Sequence, residues 1–355
     1  MPSPPATHRR QIESILTAWG MPPDKAATTA EIMADADLRA IDSHGLSMLT
    51  VYEDWWKEGR IRLDAEPRIV NETPVAALVD AQGGLGYVPS VFAMELAIRK
   101  AEQAGIGAVA VRNSAHHGAL QWYVRMAASR GLIGIATTTT SNRCAAPTFG
   151  KQAKLGTDPW AFAAPTGDDA PFVLDMATTT VAQGRVRNKQ NEGVACPPGW
   201  VLDRNGGPST DPNDGVSGGT GFMAHLGGTP DGASHKGYGL GAMVNILAAG
   251  LSGAMISAHP ERDRRPGTMD VGHFFMAIAP DPFRDRSEFA AVVRAFCDDL
   301  RATPAADPAK PVRTPGEPER IAAAKRGAEG IPVGPGLAAK VREIAARAGV
   351  PFLLA

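Results

Sequence analysis

Four short polar strings stand in fixed order along the chain: Asp42-Ser43-His44-Gly45, Asn113-Ser114-Ala115-His116-His117-Gly118, Gly156-Thr157-Asp158-Pro159 and His235-Lys236-Gly237-Tyr238-Gly239. Each sets a proton-transferring or anion-holding side chain beside glycine. An unperturbed imidazole titrates near ~6.5, so it can protonate a developing alkoxide at neutral pH and recover the proton in the reverse direction. An ammonium among glycines at the start of a helix suits a phosphate-bearing cofactor. Together the strings point to an enzyme.

Each residue also has a plainer reading. His44 follows a predicted helix, and a lone histidine there would be read as a cap on the helix dipole. Ser43 beside it and a second histidine string weigh against that. His116 comes just after a strand, where α/β proteins place their ligands, with Asn113, Ser114 and Gly118 as small hydrogen-bonding neighbours. His117 is read as solvated or packed on Trp122. Lys236 would pass for a snorkelling lysine without its flanking glycines. Asp175 ends a buried strand and either holds a ribose hydroxyl or caps the next helix. No Gly-x-Gly-x-x-Gly stands between a strand and a helix, and Gly237-x-Gly239-x-Gly241 has the wrong spacing, so no Rossmann domain is predicted. The histidines are neither spaced His-x-x-x-His nor paired with carboxylates, so no metal is predicted.

The elements that must carry these strings alternate between helix and strand. Helices are predicted over residues 8–18 and 24–41, the second with Asp24 as its N-terminal cap, and over 49–59, which contains Tyr52. Strands follow at 68–71 and 75–80, a helix at 89–104, a strand at 107–111, a helix at 120–129, and strands at 132–138, 161–165 and 172–176. Residues 193–233, dense in Gly, Pro, Asp and Ser, read as a long irregular excursion. A strand at 274–278, a helix at 284–300, a proline-rich connector at 302–319 and helices at 318–326 and 335–348 complete the chain. Residues 240–258 are nearly uncharged, but Gly, Ala, Asn245 and Ser252 make a small-residue helix packed on all sides a better reading than a membrane span. The pattern is mixed α/β, with one domain expected from residues 1–70 with 285–355 and another from 71–284.

Composition narrows the partners. The 355 residues are enough for two domains. With 36 Lys+Arg against 37 Asp+Glu, the formal charge of −1 supplies no field to attract nucleic acid or an anionic membrane. Cys144, Cys196 and Cys297 suggest neither a disulfide framework nor a zinc knuckle, and the first residues lack a signal-peptide pattern, so a cytoplasmic location is expected.

The strings, with Arg112-Asn113-Ser114, Leu174-Asp175-Met176-Ala177, Leu251-Ser252-Gly253-Ala254 and Gly272-His273-Phe274-Phe275, closely resemble the type 2 malate/L-lactate dehydrogenase family. That family includes sulfolactate and ureidoglycolate dehydrogenases, diketogulonate reductase and piperideine-carboxylate reductase. The resemblance implies a homodimeric oxidoreductase that uses NADH or NADPH, with a non-Rossmann mixed-sheet cofactor domain and a helical domain formed from both chain ends. It implies His44 and His116 as the acid/base pair, without ranking them, and Ser43 as a substrate-orienting hydroxyl. Ser141, Asp175, Met176, Ala177, His235, Lys236 and the Pro315-Gly316-Glu317 turn would hold the cofactor. The implied reaction passes a hydride between the cofactor and a small 2-keto or 2-hydroxy acid. Imine reduction and an inactive scaffold of the same fold are the alternatives.

The departures bear on the substrate, for which Ser43, Met48, Tyr52, Asn113, Arg143 and Trp160 are the expected contacts. Many members carry arginine where this chain has Met48. A bidentate guanidinium–carboxylate contact is worth about 1.5–3 kcal/mol, which a thioether cannot replace. Arg143 is the candidate substitute, or else a solvent-facing loop arginine. Asp158 and Trp160 also depart from the common pattern, which implies a reshaped pocket, and Met48 with Trp160 suggests a substrate more apolar than malate.

Overall fold

The computed structural model describes residues 2–216, 218–257 and 267–354. Its α-helices are α1 Pro5–Ala18, α2 Pro23–Leu38, α3 Leu49–Lys57, α4 Tyr87–Ala104, α5 Gln121–Ala128, α6 Gln183–Glu192, α7 His235–Asn245, α8 Arg286–Ala302, α9 Glu317–Glu329 and α10 Pro335–Ala348. Its strands are β1 Pro2–Ser3, β2 Arg68–Glu72, β3 Ala76–Asp80, β4 Ile106–Ser114, β5 Ile133–Thr138, β6 Trp160–Ala164, β7 Phe172–Met176, β8 Val201–Leu202, β9 Pro208–Ser209, β10 Phe222–Met223, β11 Val271–Ile278 and β12 Ile331–Pro332.

Seven strands form one mixed sheet in the order β2-β3-β4-β11-β5-β6-β7. Only β3 and β4 run parallel; every other neighbouring pair is antiparallel. A Rossmann sheet is parallel throughout its core, so the missing glycine fingerprint and the sheet agree. Side chains alternate across the central strand β11. Phe275 joins Val109, Val111, Tyr123 and Met94 in the main core under α4 and α5, whereas Phe274 packs with Ala110 and Ala248 on the opposite face. Burying one such large apolar side chain contributes about 1.5–3 kcal/mol, so this sandwich fixes where the ends of β4 and β7 lie.

Helices from both chain ends pack together: α1 on α2 and α10, α3 on α10, and α2 on α9 and α4. The first strand pairs with β12, close to the chain's other end. At the start of α2, Pro22 takes the cap position and Pro23 the first helical position. Asp24 therefore falls inside the first turn rather than capping it, because proline's fixed φ is already suited to that entry.

Two further expectations are corrected. Residues 193–233 are not wholly irregular: β10, β8 and β9 form a small antiparallel sheet over a cluster that includes Cys144, Val186, Cys196, Val201 and Met223. Two-residue strands are too short to leave a periodic signal. Residues 240–258 are not packed on all sides. Val244, Ala248 and Ala249 are buried, but Met243, Ile246 and Leu251 are 36%, 64% and 59% exposed. Ala258, and His259 beyond it, lie outside the described residues. No helix among the described residues is long and apolar enough to cross a membrane.

Candidate active site

The loop after α2 carries His44 and the loop after β4 carries His116. Their rings stack at a centroid distance of 5.3 Å and an interplanar angle of 29°. Ser43 Oγ lies 2.8 Å from His44 Nδ1. Tyr52 Oη, from α3, lies 2.6 Å from His116 Nδ1 and 2.9 Å from Tyr87 Oη of α4. The Gly118 amide, which can only donate, points at the same nitrogen from 3.4 Å. A neutral His116 thus accepts at Nδ1 and keeps its proton on Nε2. When the ring is protonated, Nδ1–H donates to Tyr52 Oη, whose own O–H then donates to Tyr87 Oη. Ser43 offers His44 the same choice, so both rings stay hydrogen-bonded in either protonation state.

Burial tunes these groups. Desolvation holds the His44 imidazolium down to about 4. It pushes His116 well below the usual imidazole range, and the nearby His44 and His273 push further in that direction. Burial raises the Tyr52 and Tyr87 phenols, which stay protonated. A second positive charge on the stacked pair is disfavoured, so His44 and His116 titrate as a unit that carries one proton at most.

The backbone under His44 is pinned by residues that carried no signal of their own in the sequence. Asp37, 4% exposed, accepts at Oδ2 from the Leu46 amide at 2.7 Å and faces His8 Nε2 at 2.7 Å. Gly45 lies directly on this carboxylate, where any Cβ would collide. Arg326 of α9 donates to the Asp37 carbonyl and grips both carboxylate oxygens of Asp42, the second at 3.2 Å. Recognising these three anchors needs the fold, because 289 positions separate Asp37 from Arg326.

His117 is neither solvated nor packed on Trp122. It is buried between Tyr123 and His273, with centroids 5.0 and 4.2 Å away, and its Nδ1 meets Ser90 Oγ at 2.9 Å. Its ring props β4 against β11 and leaves His116 alone at the cleft.

Asp175 Oδ2 accepts from the Gln121 amide at 2.8 Å. The carboxylate thus caps α5, an earlier helix rather than the next one. Burial, with a push from Glu319, raises it to about 6. Met176 pairs with Trp160 across β6 and β7. Beside them the Gly316 turn approaches so closely that a Cβ there would meet Val173 at 2.9 Å, and its φ of +89° suits glycine. Glu317 is held by Arg301 at 2.9 Å. A cavity of about 820 Å³ opens here, lined among others by Gln121, Trp122, Arg39, Arg125, Gly316 and Arg320. Gln121 Nε2 and Trp160 Nε1 are buried donors without a partner. Of these two only Gln121 lines the cavity; its orphan donor, the guanidinium groups and the Trp122 face fit an anionic nucleotide, with Asp168 and Asp169 also in the lining. His235 and Lys236 are exposed at the start of α7. That turn is joined to this region through Leu226, which bonds to Thr178 and against which Gly237 packs.

The remaining predicted residues are divided. Asn113 adopts a positive φ of 50°, and its side-chain Nδ2 donates to Asp80 at 2.8 Å, which shapes the approach to His116. Met48 is half-buried against the main core. Ser141 is exposed and Arg143 half-buried in the loop after β5. Asn142 of this loop reaches Gln183 of α6 at 3.4 Å, and a Cβ on the next residue, Gly184, would meet Ser43 Cβ at 3.9 Å. Asp158 is fully buried, accepts from Gly156 and Asn245, and so ties α7 to the start of β6. No cluster able to hold a metal occurs among the described residues.

The sequence profile described as malate/L-lactate dehydrogenase matches residues 4–342. Malate dehydrogenase from Pyrococcus horikoshii is 37% identical over 347 residues, 96% of this chain and 94% of that protein. Its solved structure superposes with a TM-score of 0.89 over 99% of this chain and 97% of the other. Ureidoglycolate dehydrogenase (NAD(+)) from Escherichia coli O157:H7 is 31% identical over 92% of this chain and 91% of its own length. The structure of Δ1-piperideine-2-carboxylate reductase from Pseudomonas syringae pvar. tomato, 28% identical, superposes with a TM-score of 0.84 over 97% of this chain and all of the other.

Proposed function

The chain belongs to the malate/L-lactate dehydrogenase family and is an oxidoreductase, and from that premise we propose that it interconverts a 2-keto acid and its 2-hydroxy acid with NAD(H) or NADP(H). The observation that carries this reading is the stacked His44–His116 pair, each Nδ1 held by a hydroxyl and each Nε2 without a hydrogen-bond partner among the described residues. Two imidazoles poised in that way can take up and release one proton at a substrate oxygen.

A bound nicotinamide supplies or accepts the hydride. We assign that cofactor to the cavity lined by Gln121, Trp122 and Gly316, and to Asp175, Met176, Ala177, Ser141, His235, Lys236 and Glu317 as its further contacts. During reduction His44 and His116 together donate one proton to the carbonyl oxygen, and Ser43 and Tyr52 keep the rings oriented as the charge changes. During oxidation the neutral pair accepts the hydroxyl proton. The negative charge of a substrate carboxylate favours the protonated pair, so substrate binding itself raises its proton affinity. Arg143 is assigned to that carboxylate in place of the arginine absent at Met48. Met48 and Trp160 favour substrates more apolar than malate.

We take the enzyme to be a cytoplasmic homodimer. The exposed apolar stripe of Met243, Ile246 and Leu251 supports a partner copy, which sedimentation would test. The function is tested by titrating the protein with NADH and NADPH by fluorescence, then following reduced-nicotinamide absorbance with a panel of 2-keto acids, with and without methylamine. Saturable binding and keto-acid-dependent decay are expected. An absolute amine requirement would move the reaction to imine reduction, and binding of neither nucleotide would overturn the proposal.

A further inference from the structure

Helix α9 has one end in each half of the proposed active site. Its first residue, Glu317, belongs to the Gly316 turn, which is seated on β7 by the bond from Val173 N to Pro315 O at 3.1 Å and fixed by Glu317–Arg301 at 2.9 Å. Nine residues further on, about 13.5 Å along the axis, Arg326 grips the Asp42 carboxylate and the Asp37 carbonyl. Asp42 is two residues from His44, and the Asp42 carbonyl accepts from Ser47 Oγ at 2.6 Å, which closes the loop around the histidine. The opposite side of that loop is fixed by Asp37 to Leu46. The Arg326–Asp42 clamp is the contact that joins this loop to α9, and its carboxylate is 59% exposed.

We propose that Arg326 is a positioning residue for His44, and that α9 acts as a strut by which cofactor seated at the Gly316 turn orders the Asp42–Leu46 loop. This rests on the cofactor site assigned above. Filling the turn adds a further restraint at the N-terminal end of a stiff helix, and the guanidinium near its other end passes that restraint to the loop. Without the clamp the cofactor still has its cavity, but the imidazole loses its register against His116. An error of about 1 Å in such a group costs on the order of 100-fold in turnover.

The test compares Arg326→Met, which keeps the apolar stem, Arg326→Lys, and Asp42→Asn, an exposed isostere that removes the charge and the second acceptor of the clamp without disturbing the core. Lys325→Met, at an exposed neighbouring position, is the control. Nucleotide Kd by fluorescence, kcat with a 2-keto acid, and amide hydrogen exchange over residues 42–46 with and without nucleotide are read for each. In the wild type and in Lys325→Met, nucleotide is expected to slow exchange in this segment. In Arg326→Met and Asp42→Asn, Kd should stay within about twofold while kcat falls about 10- to 100-fold and the nucleotide-dependent protection disappears. Arg326→Lys should recover part of both, and the double variant should be no worse than either single one. Retention of turnover and protection in Asp42→Asn would overturn the inference alone. Loss of nucleotide affinity in step with kcat would reduce Arg326 to a structural role and also overturn it. Failure of the wild type to bind either nucleotide would instead overturn the cofactor assignment on which the strut rests.

Discussion

The phenol oxygen of Tyr52 lies 2.6 Å from Nδ1 of His116, and the same oxygen meets Tyr87 at 2.9 Å. This places a hydroxyl that can reverse its role behind the imidazole for which we propose a change of charge. Tyr52→Phe leaves the ring volume and removes the reversible partner. A protonated His116 would then carry an unsatisfied buried N–H, which costs about 1–3 kcal/mol. The expected result is a kcat lowered about 5- to 100-fold with nucleotide Kd unchanged. Equal turnover in wild type and variant would remove Tyr52 from the proton path.

The desolvated histidines predict an asymmetric pH dependence. Oxidation of a hydroxy acid needs a neutral pair, and His44 stays neutral until the pH falls to about 4. Its kcat/KM should therefore be level from neutral pH down to the acid side and drop only as pH falls through about 4. Reduction needs the proton, so its kcat/KM should decline about tenfold per unit as pH rises above that value. Stability shifts in the same range. An unfolded histidine binds its proton near ~6.5 while the folded one does not until lower pH, so the unfolded state holds more protons between. The stability contributed by the neutral, buried rings is present above ~6.5 and is lost as pH falls toward about 4. Circular dichroism alongside the rate measurement separates the two effects, and an oxidation limb centred near the ordinary imidazole value would contradict the burial of this pair.

The strings that bear side-chain chemistry were legible because their residue types and order are local. Strands 68–72, 76–80 and 172–176 were also readable, since each alternates or forms a short apolar run bounded by turn residues. What the chain concealed is long-range. Asp37 reads as one more polar residue near a helix end, yet it supports Gly45 and Leu46 from below. Asp175 could be placed at a strand end, but its assignment to Gln121 depends on β7 lying beside α5. His117 looked like a spare imidazole because nothing in its neighbourhood announces that His273, 156 positions away, forms the other half of its stack.

Gly45 gives a stability prediction. Its Cα rests on the Asp37 carboxylate, so a methyl group must displace either the carboxylate or the loop. Gly45→Ala is expected to destabilise the fold by about 1–3 kcal/mol, the usual cost of overpacking a filled site. Urea unfolding measures that loss. Because the displaced loop carries His44, kcat should fall as well at temperatures where the variant is fully folded. A variant as stable and as active as the wild type would mean that the loop is not seated on Asp37 in solution.

The substrate carboxylate tests the departure at Met48. Arg143 stands in the loop that Asn142 joins to Gln183, and the residue after Gln183 lies beside Ser43, so this loop is linked through the start of α6 to the segment that carries His44. A guanidinium there can meet a carboxylate with two parallel bonds, whereas Met48 offers none. Arg143→Met removes the charge and keeps much of the stem. If the contact is made equally in ground and transition states, KM for a 2-keto acid rises about 10- to 100-fold and kcat is nearly constant. Arg143→Lys should restore only part of the affinity, since an ammonium lacks the planar fork. An unchanged KM in Arg143→Met would make this residue a loop arginine facing solvent and return the search for the carboxylate partner to α6, where Arg185 and Arg187 stand one and three residues after Gly184.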